Sequence, residues 1–120
     1  MKAITYQKYL NVSPSKILRF SREIKKGDSV NLAIAKLSFL PNKSAKLLAH
    51  AIKNAKANLI FKATEKNLDF DENKFVIEKI LVQKAPTLKR LRPRGRGRAD
   101  IINKRKSHIY VEINDGNVEE

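Results

Sequence analysis

The spacing of apolar residues changes character twice along this chain, from alternating to helical and back to alternating. Residues 2 to 9 alternate polar and apolar side chains, which predicts a short strand with Ile4 and Tyr6 on one face. Ser13-Pro14 then supplies a helix cap followed by proline at the first helical position. Ile17, Leu18, Phe20 and Ile24 predict an amphipathic helix, and Gly27 reads as its terminator. A cap at Asp28 or Ser29 opens a shorter helix with Val30, Ala33, Ile34 and Leu37 at helical spacing, ended by Pro41.

The third helix has the clearest pattern. From Asn42 to about Ile60, one face carries Ala45, Leu48, Ala49, Ile52, Ala55 and Leu59, while Lys43, Lys46, Lys53 and Lys56 lie opposite. Small residues on the apolar face permit close packing against a sheet or another helix. Thr64 to Lys74 is polar and acidic and predicts a surface loop.

The final third is β-like. Phe75 to Val82 is rich in β-branched residues, and Ser107 to Ile113 alternates Ile109, Val111 and Ile113 as its partner. Residues 81 to 108 between them show no helical period. A structureless loop of that length is uncommon in a small domain. Both strands are therefore expected to run outward as a protruding hairpin, each arm about 14 residues or roughly 45 Å long. Its turn is expected between Pro93 and Gly97. The expected fold class is α+β: a small three-helix domain packed on a three-stranded antiparallel sheet, with a long protruding β-hairpin. With 120 residues, a single domain spanning 1–120 is expected, with its arm at about 81–108.

Charge changes the picture most. The chain carries a formal net charge of +14, with a pI near 10.2. Residues 84 to 106 hold Lys84, Lys89, Arg90, Arg92, Arg94, Arg96, Arg98, Lys104, Arg105 and Lys106 against the single acid Asp100. Focused charge of this kind calls for a polyanionic partner. Arg90 to Arg98 places an arginine at every second position, interleaved with Leu91, Pro93, Gly95 and Gly97. On one extended strand these would form a one-faced guanidinium comb. The proline and glycines argue instead for a fan around a hairpin end. Outside the comb, arginine occurs only at Arg19, Arg22 and Arg105, and lysine carries the rest of the positive charge. Such a switch selects the planar fork, which serves phosphates, base edges and stacking, and so favours nucleic acid over a membrane surface.

Candidate chemistry is thin. With no cysteine, disulfides and thiolate metal sites are excluded. No apolar run has the length of a membrane span, and residues 1 to 9 lack a signal peptide's apolar block. His50 lies among alanines of the third helix, and His108 has basic neighbours that favour contact with RNA or simple exposure. Asp69, Asp71 and Glu72 lack the glycine and distal glutamate of a calcium loop. Gly95-Arg96-Gly97 follows no buried strand and opens no helix, so it is no dinucleotide fingerprint. The residues point to a binding protein without cofactor or metal, not to an enzyme.

The run Ala85-Pro86-Thr87-Leu88-Lys89-Arg90-Leu91-Arg92-Pro93-Arg94-Gly95-Arg96-Gly97-Arg98-Ala99-Asp100, followed by Lys104-Arg105-Lys106-Ser107-His108-Ile109, resembles the large-subunit ribosomal protein L-twenty-two family. Ser13-Pro14-Ser15-Lys16 and Ile52-Lys53-Asn54-Ala55 add to the likeness, which covers about Ala3 to Ile113. Ser15 departs from it, standing where the family usually has a basic residue. The resemblance implies a structural constituent of the large subunit near the nascent-chain exit, with a hairpin threading into large-subunit rRNA and lining the tunnel. It implies that Lys89, Arg90, Leu91, Arg92, Pro93 and Arg94 lie at the tunnel tip. Arg96, Arg98, Lys84, Lys104, Arg105 and Lys106 would hold rRNA along the arm, and Ser13, Lys16 and Arg19 would do so from the body. Implied partners are rRNA, neighbouring large-subunit proteins and the nascent polypeptide, with no membrane. The compact chain fits a bacterial cytoplasmic or an organellar ribosome. The competing reading is a free-standing RNA-binding regulator with a flexible Arg/Gly segment, which predicts no β-pairing around the comb.

Overall fold

A computed structural model describes residues 2–116. Strand β1 (Lys2–Leu10) leads into helices α1 (Pro14–Ser21), α2 (Val30–Ser38) and α3 (Lys43–Glu65), then strands β2 (Val76–Lys84), β3 (Leu88–Pro93), β4 (Ala99–Lys104) and β5 (Ser107–Asn114). Two sheets result: an antiparallel three-stranded one in the order β1-β5-β2, and a two-stranded β3-β4 ribbon. The body is thus the expected α+β arrangement, with three helices on one face of the larger sheet.

β5 is the central strand, and its alternation shows why. Ser107, Ile109, Val111 and Ile113 are buried, while the residues between them are only partly so. In β1 the buried positions are Ala3 and Thr5, so Ile4 and Tyr6 do share a face, but it is the open one. Those small inward residues let α3 lie close over the sheet. Its own stripe, Ala45, Leu48, Ala49, Ile52, Ala55 and Leu59, is buried throughout. Full burial of each large aliphatic member contributes about 1.5–3 kcal/mol.

Both edges of the sheet are covered. Along β1, Asn58 Nδ2 donates to the Ile4 carbonyl at 3.1 Å and Lys62 Nζ to the Lys2 carbonyl at 2.9 Å. Along β2, the Gly27 and Val30 amides donate to the carbonyls of Ile77 (2.8 Å) and Phe75 (3.0 Å), and Ile77 donates to Asp28 (2.9 Å). Covered edges offer no template for pairing with another chain.

Two helix ends differ from the sequence expectation. α1 stops at Ser21, not Gly27. Ser21 Oγ takes the Leu18 carbonyl at 2.9 Å, and the Glu23 and Ile24 amides reach back only three residues, so the helix tightens and unwinds. Gly27, at φ +91°, instead turns the chain onto the β2 edge. α3 runs five residues past Ile60, because Ala63 continues its buried face, and it ends where Asn67 takes a left-handed backbone (φ +54°).

Candidate nucleic-acid interface

The arm begins with a break. β2 and β5 stay paired to Lys84 opposite Ser107, and pairing resumes only at Leu88 opposite Lys104. The strands are therefore not continuous to the tip, as the long gap in periodicity had implied. Buried Ala85 donates its amide to the Lys106 carbonyl at 3.0 Å and closes the joint between the two sheets. Ser107 Oγ, fully buried, donates to the Val12 carbonyl at 2.9 Å, which fastens the segment before α1 to the same joint. Beyond this root the ribbon projects, and the molecule measures 67 × 27 × 21 Å.

The ribbon has two faces. The register places Arg90 opposite Ile102 and Arg92 opposite Asp100, with Leu88 and Lys104 on the same side. The other side carries Lys89, Leu91 and Pro93 against Asn103, Ile101 and Ala99, and Leu91 and Ile101 are 72% and 64% exposed. Arg94, Arg96 and Arg98 leave the ladder at the turn, where the Arg94 amide donates to the Arg98 carbonyl at 2.7 Å. Arg96 sits at the apex with φ +62°, between Gly95 and Gly97. So only Arg90 and Arg92 form a one-sided pair, and the other three arginines fan around the end. Arg94 Nε donates to Asp100 Oδ2 at 2.7 Å, with both side chains more than half exposed. Every position from Lys89 to Ile101 is exposed.

At the root, a groove of about 750 Å³ gathers Ser13, Lys16, Arg19 and Arg105 with Asn42, Lys43, Ser44 and Asn103. A second groove of about 490 Å³, sharing Ser13, Asn103 and Arg105, adds Lys84 and Lys89. Arg19 lies over the Phe20 ring, 5.8 Å from its centroid. The candidate residues thus separate into two groups: a tip set from Arg90 to Arg98 and a root set around Arg105. Asn42, Lys43, Ser44 and Asn103 were not among the sequence candidates. A lysine at the first position of a helix without first-turn acids was the available signal.

Neither histidine is arranged as a base. His50 is exposed on α3. His108 is half-buried: its Nδ1 accepts the Tyr9 amide at 3.0 Å, and its ring meets Tyr9 edge-on at 4.9 Å. That contact exists because β1 bulges between Gln7 and Leu10 and Tyr9 adopts φ +58°. Among the described residues, no cluster of histidine and acidic side chains is suited to a metal. No helix is long and apolar enough to cross a membrane.

The model of the family described as Ribosomal protein L22p/L17e matches residues 5–114. The large ribosomal subunit protein uL22 of Desulforamulus reducens is 40% identical over 115 residues, 96% of each chain. That of Desulfosudis oleivorans is 47% identical over 106 residues, 88% of this chain and 87% of its own. That of Campylobacter jejuni strain RM1221 is 42% identical over 106 residues, 88% of this chain and 68% of its own. A match across nearly the whole chain, carried by a body and an arginine-bearing arm, means that the chain belongs to the ribosomal protein L22p/L17e family, structural proteins of the large ribosomal subunit and not enzymes.

Proposed function

We propose that this chain is one domain that binds large-subunit rRNA, helps the subunit assemble, and places its hairpin tip in the wall of the nascent-chain tunnel. The observation that carries this reading is the projecting ribbon, which bears five arginines within nine residues and buries none of them. A two-stranded ribbon has little stability alone in water, so an arm of this kind draws its order from what it is inserted into. Permanently charged forks on both sides of a turn suit rRNA segments that approach from several directions. Lys89, Arg90, Leu91, Arg92, Pro93 and Arg94 form the tunnel-facing tip in this reading. Arg96, Arg98, Lys84, Lys104, Arg105 and Lys106 hold phosphates along the arm, and Ser13, Lys16 and Arg19 do so from α1. Recognition is by shape and phosphate spacing more than by base sequence. Neighbouring large-subunit proteins and the nascent polypeptide are the further partners, and a bacterial cytoplasmic ribosome is the setting. The regulator reading predicts an unpaired flexible segment, and the six-pair ladder on either side of the turn opposes it. Sucrose-gradient sedimentation of cell extract decides between them. The protein is expected in the large-subunit fractions; recovery at the top of the gradient would overturn the ribosomal role.

A further inference from the structure

The groove at the arm root combines features that a free protein has no reason to assemble. Four cations line it, Lys16, Arg19, Lys43 and Arg105, and no acid does. α3 begins there with its first-turn amides of residues 43–45, which have no partner within the helix. Its first residue is Lys43, a cation at the positive end of the helix dipole, and Lys16 stands likewise in the first turn of α1. Both placements cost stability unless an anion lies between them. Ser44 is the independent sign. It is only 6% exposed, it lines the groove, and its hydroxyl has no hydrogen-bond partner among the described residues. The hydroxyl of a nearly buried serine, left unpaired beside free amides, is part of a donor set awaiting an acceptor.

We propose that this groove seats the phosphodiester backbone of RNA. The Ser44 hydroxyl and the α3 first-turn amides donate to non-bridging phosphate oxygens, and Lys16, Arg19, Lys43 and Arg105 neutralise the charge. A chain-like polyanion is favoured over a free ion because the groove continues, through Ser13, Asn103 and Arg105, into the neighbouring groove with Lys84 and Lys89. The proposal rests on the rRNA-binding reading and adds a specific seat to it, one that fixes the angle between body and arm on the RNA.

The test sets stability against affinity. Lys43→Glu and Ser44→Asp each put an acid at a helix start, where it favours the folded helix. Both variants of the full chain are therefore expected to melt no lower than the parent, yet to bind a large-subunit rRNA transcript about tenfold more weakly. Lys53→Glu makes the same charge change on the exposed middle of α3 and is expected to cost less affinity. In NMR titrations, a short single-stranded RNA should shift the amides of Lys43, Ser44 and Ala45 at far lower concentration than inorganic phosphate does. If both groove variants bind like Lys53→Glu while Arg92→Gln with Arg96→Gln weakens binding, the seat is refuted and rRNA binding by the arm stands. If the arm variant also binds like the parent, the rRNA reading itself falls. Equal shifts by inorganic phosphate and RNA would make the groove a free-anion site and overturn the proposal.

Discussion

Ser107 carries more of the architecture than its size suggests. Its hydroxyl is fully buried and spends its one proton on the Val12 carbonyl, so a single bond ties α1, β5 and the arm root together. Ser107→Ala keeps the volume but leaves that carbonyl without its partner, and the expected cost is about 1–3 kcal/mol in urea unfolding, with no change in net charge. Glu78 is the residue through which acid acts. It accepts Asn114 Nδ2 at 2.6 Å and pairs with Lys26 at 3.4 Å. The Lys26 hydrogen bond and charge, helped by Asn114, hold its carboxyl below the ordinary glutamate value of 4.5, against desolvation. A depressed folded value means that the unfolded state takes up the proton first. Glu78 therefore stabilises the fold above the ordinary value, and this contribution is lost as pH falls through the depressed one. Glu78→Gln should be less stable than the parent at pH 7, with the gap closing in acid; an equal gap at both pH values would rule out ionisation as the cause. Arg96 is a different case. The turn would accept glycine or asparagine at φ +62° more readily, so the arginine at the apex is held by what it contacts, not by local conformation.

At the scale of elements, β5 and α3 were readable from period alone, because each has one fully buried face and nothing local competes with that pattern. The end of α1 was not, since it is set by Ser21 hydroxyl chemistry and by Gly27 being drawn to the β2 edge, a tertiary demand without periodicity. The break in the arm was also hidden: Ala85 is small, and its burial depends on the Lys106 carbonyl across the joint. Of the candidate interface, the tip was legible as an arginine pattern. The root was legible only in part, because Lys43 and Ser44 look like ordinary helix surface until α1 and the arm are brought beside them. The joint also divides the molecule into two levels of stability. β5 is buried and paired on both sides, whereas the β3–β4 ladder has an exposed tip and no sheet beneath it. In hydrogen exchange of the free protein, the Ile109, Val111 and Ile113 amides should exchange slowest, and those from Leu88 to Lys104 within the earliest time points. Arm amides as protected as those of β5 would show that the ribbon is rigid before it meets RNA.

For the molecule as a whole, the question is whether charge or geometry sets its grip. A net charge of +14 guarantees attraction to any polyanion, and a mechanism using charge alone would be indifferent to arginine or lysine. The chain is not indifferent: the 67 Å axis carries its arginines outward, while lysines dominate the helical surface. Counterion release responds to charge, whereas paired donors, stacking and contact with base edges respond to the fork. Replacing Arg90, Arg92, Arg94, Arg96 and Arg98 together by lysine separates the two. The slope of log affinity against log salt should stay as in the parent, because the number of neutralised phosphates is unchanged. Affinity for the rRNA transcript at fixed salt should fall by about tenfold or more as bidentate bonds become single ones. The matching glutamine variant should lower both, with the slope falling by roughly 0.7–0.9 for each phosphate that is no longer neutralised. Asp100→Asn adds an internal check, since it frees the Arg94 Nε held at 2.7 Å and should steepen the slope without touching the ladder. If the lysine variant binds as tightly as the parent, the fork geometry is irrelevant and the arm works as a charged tether alone.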